Sequence, residues 1–234
     1  MQETIYTIPI NEAFEKGIEL KEQGICECPF CILEHRFESE ELELILGASM
    51  MEPDVRIMTN EKGFCRDHFK KMLGMQKKLP LALMLESHLD QLFKEITVRS
   101  LLPAGSDDAK LKKIEKRRSS CYVCDRVEAN IRRMFSNAVY MWDKDPDFAA
   151  KLRAQKYICL THFSELMSAA QYLSKKRRAA LYDDAFGVVS SYLGELCADV
   201  SHFCKKFDYR YEDEPWGNSK DSVERAIRFL KGSE

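Results

Sequence analysis

The sequence predicts an all-α fold, and three observations support this prediction. Apolar residues recur at intervals of three and four positions over most of the chain, which is the helical period. Asn, Ser, Pro and Gly stand where such helices would begin and end. Strand patterns are scarce, since the best one, AVYMW at 138–142, lies within a helical pattern. We therefore expect a helical bundle of two tandem, pseudo-symmetric repeats with long amphipathic helices.

The first half of the chain contains four predicted helices. The first lies between Asn11, a candidate N-cap, and Gly24. The second runs from Pro29 to Ile45, and the third begins near Cys65. A long amphipathic helix follows Pro80. Its predicted packing stripe consists of Leu85, Leu89, Leu92 and Ile96.

The second half repeats this plan after a predicted linker, where Pro, Gly, Ser and Asp at 102–110 interrupt the helical pattern. Helices are expected at about 122–141, after Pro146, from position 159 and at about 175–207. The last of these is the longest, and we expect its apolar seam to face other helices of the chain. The seam consists of Phe186, Val189, Leu193, Leu196, Val200, Phe203 and Phe207. A final helix, capped by Asn218 or Ser219, should end at Gly232.

These elements predict a division of the chain into five segments. They are an N-terminal helix (1–25), a first repeat (26–102), a linker (103–118), a second repeat (119–208) and a C-terminal tail with a helix (209–234).

Composition narrows the class of protein. The chain has 234 residues, of which 45% are hydrophobic and 32% charged, and its formal net charge of −2 gives no general attraction to nucleic acid or anionic membranes. The N-terminus lacks the basic and apolar regions of a signal peptide, and no apolar run is long enough to span a bilayer. We therefore expect a cytoplasmic protein. In a reducing cytoplasm, its nine cysteines would be metal ligands or free thiols.

A Cys-x-x-Cys motif followed by Cys-x-x-His-Phe occurs twice. The gap between the second and third cysteine differs by one position between the copies, and Pro-Asp precedes the third cysteine in both. The matching order of four metal-ligand residues, Pro-Asp and Phe indicates an internal duplication. The eight residues are Cys28, Cys31, Cys65 and His68 in the first copy, and Cys121, Cys124, Cys159 and His162 in the second.

Zinc coordination explains this set of residues. Zinc prefers four sulfur or nitrogen ligands in a tetrahedron, and residues three apart at the start of a helix lie on one face. Helix N-termini also favour the thiolate form that binds metal. We expect two zinc ions per chain, each held by the four residues of one copy. Four protein ligands fill the coordination shell, which is typical of a structural site.

An iron–sulfur cluster is the alternative cofactor, because Cys26, Cys28, Cys31 and Cys65 offer four thiols in the first half. The second half offers only three thiols with His162, and duplicated sites should bind alike, which favours zinc. Outside the motifs, Cys197 and Cys204 lie seven residues apart on one helix face, and we interpret them as small core residues.

Two regions could form a ligand or partner surface. The first contains Asp54, Arg56 and Asn60, and the second is the aromatic and charged tail with Arg210 and Trp216. The alternative for the tail is that its aromatic residues pack back onto the protein. Basic runs at 110–118 and 174–178 are interpreted as solvated helix faces, because no aromatic residues alternate with them, and this argues against nucleic-acid binding.

Several segments together resemble a known group of proteins: CECPFC, PDVR, GFCRDH, CLTHF and, most distinctively, KFDYRYEDEPWG. Over nearly its whole length the chain resembles an uncharacterised bacterial protein family. That family has no established activity, so the resemblance implies a bacterial cytosolic protein and supplies no reaction, substrate or catalytic residues.

The sequence therefore predicts a zinc-binding helical protein with a binding or assembly role. No nucleophile–base pair, phosphate loop or acidic dyad is apparent. The alternatives are a redox enzyme or sensor using iron–sulfur or thiol chemistry, and a DNA-binding regulator. The partner would be a protein or a small molecule, and the sequence leaves open whether two copies pair through the apolar seam.

Overall fold

The computed structural model describes residues 7–97 and 106–233. These residues form eleven α-helices and no β-strand, so the predicted all-α class is confirmed. Within the same residues, no helix combines the length and apolar character needed to cross a membrane. The helices are α1 (Thr7–Glu22), α2 (Pro29–Ile45), α3 (Pro53–Lys62), α4 (Arg66–Gly74), α5 (Lys78–Thr97), α6 (Ser106–Ser119), α7 (Tyr122–Lys144), α8 (Pro146–Ala154), α9 (Leu160–Ala169), α10 (Lys175–Lys205) and α11 (Ser222–Lys231).

Local sequence explains the start of α8 but not that of α1. Asp145 caps α8 by accepting a 2.9 Å hydrogen bond from the Asp147 amide, with Pro146 at the first helical position. The predicted N-cap of the first helix was wrong, because α1 is already helical at Thr7. Asn11 lies inside it and donates from Nδ2 to the Thr7 carbonyl at 3.3 Å.

Two further boundaries differ from the sequence prediction. The predicted linker at 103–118 is helical from Ser106, as α6, while 103–105 lie outside the described residues. Lys116, Arg117 and Arg118 in the last turn of α6 favour a helix through the macrodipole. The last helix begins after Asp221 and not after Asn218 or Ser219, and it ends before Gly232 as predicted.

The chain divides into two compact units. One contains the residues up to His35 together with those from Asn130 onward, and the other is Arg36–Ala129. The boundaries fall within α2 and α7, so each unit combines residues from both halves of the sequence. The five-segment division of the chain stays a prediction.

The first unit packs around aromatic side chains. The ring of Phe14 lies 5.4 Å from that of Phe30 and 4.8 Å from that of Phe148, and Phe30 lies 4.5 Å from Phe135. All four side chains are buried. Helix α10 contacts α8, α9 and α11 in this unit. This core holds the N-terminal ends of α2 and α9 in place.

In the second unit, α5 packs against α3 and α4. The buried apolar side chains of this unit include Leu42, Ile45, Met72, Leu81 and Met84. This core supports the helix ends at which Cys65 and Cys121 lie.

The predicted packing stripes on the two long helices were confirmed only in part, because Val189 and Leu196 of the α10 seam are buried while other members are exposed. On α10, Phe186 is 44% exposed and Phe207 76% exposed, and on α5, Leu89 is 56% exposed. The residues of α10 that are buried are Leu181, Ala185, Val188, Val189, Tyr192 and Leu196. Both helices are apolar on more than one face, so the neighbouring helices, and not the sequence period, decide which face is covered.

Candidate metal centres

All four cysteine motifs lie at the N-terminal end of a helix. Cys65 and Cys159 are the N-caps of α4 and α9, with extended backbones (φ −71°, ψ 167° and φ −65°, ψ 156°). Cys28 and Cys121 directly precede α2 and α7. In each motif the carbonyl of the first cysteine accepts the amide four residues ahead, at 2.9–3.1 Å. The first and fourth residues of a motif thus share one side of a helix start, where the macrodipole favours thiolate.

The eight predicted ligands form two clusters. Their donor atoms lie within 4.8 Å of one another in each cluster. The α2–α9 cluster contains Cys28, Cys31, Cys159 and His162, and the α4–α7 cluster contains Cys65, His68, Cys121 and Cys124. The prediction that each copy of the motif forms its own site was therefore wrong. Each cluster combines the Cys-x-x-Cys motif of one half with the Cys-x-x-His motif of the other.

Hydrogen bonds to two backbone carbonyls explain the pairing in the α4–α7 cluster. The Tyr122 amide donates to the Gly63 carbonyl at 3.0 Å, and Ser120 Oγ donates to the Lys62 carbonyl at 2.7 Å. These bonds tie the start of α7 to the end of α3, which lies just before Cys65 in the chain. In the α2–α9 cluster, the rings of Phe30 and Phe135 lie 5.9 and 5.7 Å from the His162 ring.

The donor atoms are spaced for a tetrahedral ion. Zinc–ligand bond lengths give tetrahedral edges of about 3.8 Å between two sulfurs and about 3.6 Å between sulfur and nitrogen. In the α2–α9 cluster, Cys31 and Cys159 Sγ are 3.9 Å apart, and His162 Nδ1 lies 3.4, 3.6 and 3.2 Å from Cys31, Cys28 and Cys159 Sγ.

The second cluster repeats this spacing. Cys65 and Cys124 Sγ are 3.9 Å apart, and His68 Nδ1 lies 3.1, 3.2 and 3.5 Å from Cys65, Cys121 and Cys124 Sγ. Both donor sets therefore fit a zinc ion in spacing and in chemistry.

A glutamate of α2 orients each histidine. Glu38 accepts from His68 Nε2 at 2.9 Å and also pairs with Lys71, while Glu34 lies 3.3 Å from His162 Nε2. A carboxylate on Nε2 leaves Nδ1 as the metal-binding nitrogen and makes it more basic. Sequence analysis missed both glutamates. Both belong to α2, so the duplicated motif contains no repeated acidic residue that could have signalled them.

The two clusters differ in exposure to solvent. In the α2–α9 cluster the three cysteines are 0% exposed and His162 is 3% exposed. The C-terminal end also covers this cluster, because the Ser233 amide donates to Cys31 Sγ at 3.5 Å and the Ser233 carbonyl lies 3.0 Å from His35 Nε2. In the α4–α7 cluster, by contrast, Cys124 is exposed and Cys65 half-buried.

The thiols and imidazoles influence one another's pKa. Hydrogen bonds with Cys159 and Cys28 hold the pKa of Cys31 far below its usual value, whereas burial raises the pKa of Cys28. Burial alone would lower the pKa of His162, but its bonds to Cys159, Cys31 and Glu34 raise the pKa to about 12. A metal dication among these atoms would displace the imidazole proton, so metal binding should be coupled to proton release.

Burial dominates in the α4–α7 cluster. It lowers the pKa of His68, against an opposing effect of Glu38, and it raises the pKa of Cys121 and of Cys124, where the neighbouring Cys121 and Cys65 raise it further. A bound dication would stabilise the thiolates against this desolvation. A metal that prefers sulfur ligands would therefore stabilise both clusters most.

The alternative iron–sulfur ligand set is not assembled. Cys28 and Cys31 belong to the α2–α9 cluster and Cys65 to the α4–α7 cluster, while Cys26 is half-buried and belongs to neither. Cys197 and Cys204 also lie outside both clusters. Their interpretation as core residues was wrong, because both are exposed on α10.

Comparison with known proteins places the chain in a family. The model of a family of unknown function, DUF6062, matches residues 1–234. The chain belongs to this family. The match confirms the resemblance to an uncharacterised family without an established activity. No curated protein and no solved structure matched the chain.

In this family member, the first predicted partner surface takes part in internal hydrogen bonds. Arg56 donates to the Leu83 carbonyl at 2.7 Å, and Asn60 accepts from Ser87 Oγ at 2.8 Å. Asp54 is exposed in the first turn of α3. A role for these residues in ligand binding stays a prediction.

The tail residues also make internal contacts. Arg210 donates to both carboxylate oxygens of Asp208, and the Trp216 ring lies 5.6 Å from the Phe203 ring. Lys206 Nζ donates to the carbonyls of Tyr211, Glu212 and Glu214 and lies 5.5 Å from the Trp216 ring. Lys206 thus fixes the aromatic and acidic segment that distinguishes the sequence. Anion recognition by Arg210 stays a prediction.

Proposed function

We propose that the chain is a zinc protein that binds one ion in each cluster, and that its role is binding or assembly. The observation that carries this proposal is the pair of Cys3His donor sets, each with all donor atoms within 4.8 Å of one another and with two sulfurs 3.9 Å apart, close to the edge of a zinc tetrahedron. In each cluster the residues would hold a zinc ion through three thiolates and one imidazole Nδ1. The ion would supply a cross-link between two helix N-termini.

The donor chemistry favours zinc over other metals. Three cysteines with one histidine form a known structural zinc set, whereas calcium and magnesium prefer oxygen ligands. Four protein donors fill the tetrahedral shell and leave no coordination position for water or substrate. This supports a structural role for the metal. The expected setting is the bacterial cytoplasm, where the thiols stay reduced.

Elemental analysis tests the proposal directly. Protein should be purified without air or chelator, and its metal content and absorption spectrum measured together. We expect two zinc ions per chain and no visible absorption band. Iron with a visible band, or the absence of bound transition metal, would refute the proposal.

A thiol-dependent redox enzyme or sensor is the second candidate function. It is favoured by one observation, the exposed Cys124 with its sulfur 3.9 Å from that of Cys65. Such a protein would form a Cys65–Cys124 disulfide reversibly, and this bond is detectable by mass spectrometry after mild oxidation. A DNA-binding regulator, the remaining alternative, predicts retention on DNA that decreases as salt rises.

A further inference from the structure

The ligands of the α4–α7 cluster are open to solvent on one side. Cys124 is exposed and Cys65 is half-buried, whereas Cys121 is 4% and His68 6% exposed. The two accessible sulfurs are neighbours, 3.9 Å apart, so they would occupy one edge of the coordination tetrahedron. A molecule from solvent could therefore approach a bound metal along this edge without displacing protein.

The α2–α9 cluster is closed by comparison. Its three sulfurs are fully buried, and aromatic rings pack against its histidine. The amides of His162 and Ser233 donate to Cys159 and Cys31 Sγ, each at 3.5 Å, which lowers the nucleophilicity of those thiolates. The Ser233 hydroxyl donates to Glu27 at 2.5 Å and holds the C-terminal end in this position. A competing ligand would reach this metal only after local opening of the unit.

We propose that the α4–α7 cluster is an exchangeable metal site that passes its zinc to a thiol-bearing acceptor, while the α2–α9 cluster retains its ion. This inference rests on the proposed function, since it requires both clusters to bind metal. It adds a carrier activity to a protein that releases its other metal only slowly. The acceptor is identified by chemistry alone, as a small molecule or an exposed protein segment with free thiols.

The exchange step is a ligand substitution without oxidation or reduction. The sulfur of the acceptor forms a bond to zinc, and the bond between zinc and Cys124 Sγ breaks. The acceptor thiol loses its proton, and Cys124 takes one up. Repeating the step at Cys65 and then at the buried Cys121 and His68 completes the transfer. Exposure sets this order, because Cys124 is the most accessible of the four.

The test follows zinc release and cysteine reactivity in the wild-type protein loaded with two zinc ions. The probes are a chromogenic zinc chelator, a small dithiol as acceptor, and a pulse of thiol-alkylating reagent read by peptide mass spectrometry. We expect one zinc to leave at least about tenfold faster than the other, because a buried site must first open. Cys65 and Cys124 should be alkylated with the fast phase, and Cys28, Cys31 and Cys159 only with the slow phase.

The chain supplies its own controls. Cys197 and Cys204 are exposed and lie outside both clusters, so they should be alkylated at the same rate whether or not zinc is bound. The Cys124→Ser variant should lose the fast-leaving zinc and keep the slow one, while Cys204→Ser should keep both phases.

The outcomes separate the two proposals. Equal release rates, or alkylation of Cys28, Cys31 and Cys159 in the fast phase, would overturn the exchange inference and leave the two-zinc proposal standing. Protein that contains no zinc before the experiment would refute both.

Discussion

Glu34 and Glu38 show how single residues set the chemistry of each cluster. Each carboxylate lies against Nε2 of a histidine whose Nδ1 faces three sulfurs. Because the carboxylate holds a proton on Nε2, Nδ1 is the nitrogen that a metal would bind, displacing any proton there. Glu38 also pairs with Lys71, so its position is fixed on two sides. These glutamates act on the metal through the histidines.

Replacing Glu38 tests this role. Glu38→Gln keeps the size of the side chain but removes the charge that makes Nδ1 more basic. We expect the zinc affinity of the α4–α7 cluster to fall about 10- to 100-fold, while the other cluster is unchanged. Competition with a chelator of known affinity measures this. Glu40→Gln, on the same helix but paired with Arg36, is the control and should bind both ions as tightly as wild type.

Gly232 is a second residue with a specific role, because its φ of +94° and ψ of 168° suit only glycine. It ends α11 and places Ser233 over Cys31. Gly232→Ala should lower the free energy of unfolding by about 1–3 kcal/mol and speed zinc release from the α2–α9 cluster. Denaturant unfolding and release kinetics measure the two effects.

Gly187→Ala is the matched control, since Gly187 lies within α10 with open space around it. That variant should be more stable by about 0.5–1 kcal/mol, with unchanged zinc release. Equal effects of the two substitutions would contradict the special role of Gly232.

At the scale of the elements, each cluster lies where the N-termini of two helices come together. Helices α2 and α9 converge in one cluster and α4 and α7 in the other. The N-terminal end of a helix carries a partial positive charge, so two such ends repel each other unless anions lie between them. With metal bound, three thiolates would supply that charge, and the dication would offset part of it.

The pairing of helices predicts how two cysteine substitutions combine. Cys31→Ser with Cys159→Ser damages only the α2–α9 cluster, so this double variant should keep one zinc per chain. Cys31→Ser with Cys65→Ser damages both clusters and should keep none. Elemental analysis of the purified variants measures the stoichiometry. The reverse result would show that each half of the sequence forms its own site.

Sequence analysis identified all eight cluster residues but not their partners. Spacing reveals ligands because Cys-x-x-Cys and Cys-x-x-His are local, and each is complete within one helix turn. Which two motifs share a cluster is decided by contacts between segments that are far apart in the sequence, such as the hydrogen bond from the Tyr122 amide to the Gly63 carbonyl. No local sequence pattern records such contacts. The predicted burial of Phe186 and Leu193 on α10 failed for the same reason, because the helical period alone does not indicate which face a neighbouring helix covers.

At the scale of the whole molecule, each compact unit contains one complete cluster. Removing zinc should therefore destabilise both units, since structural zinc sites contribute directly to folding. We expect a chelator to lower the midpoint of thermal unfolding, followed by circular dichroism. Added zinc should restore the midpoint and added magnesium should not, because the clusters offer no oxygen ligands. An unchanged midpoint after complete zinc removal would contradict a structural role.

Because the motifs pair across the two halves of the sequence, the two clusters close two loops of the chain, one inside the other. Cys31 meets Cys159 across 128 positions, and the Cys65–Cys124 contact, across 59 positions, lies wholly inside that interval. A cut after Gln76, in the exposed turn between α4 and α5, would fall within both closed loops. Each fragment would carry half of the ligands of both ions, so metal would replace the broken peptide bond as the link between them. Protein nicked at an inserted protease site there should stay one particle in mild denaturant and separate into two when a chelator is added.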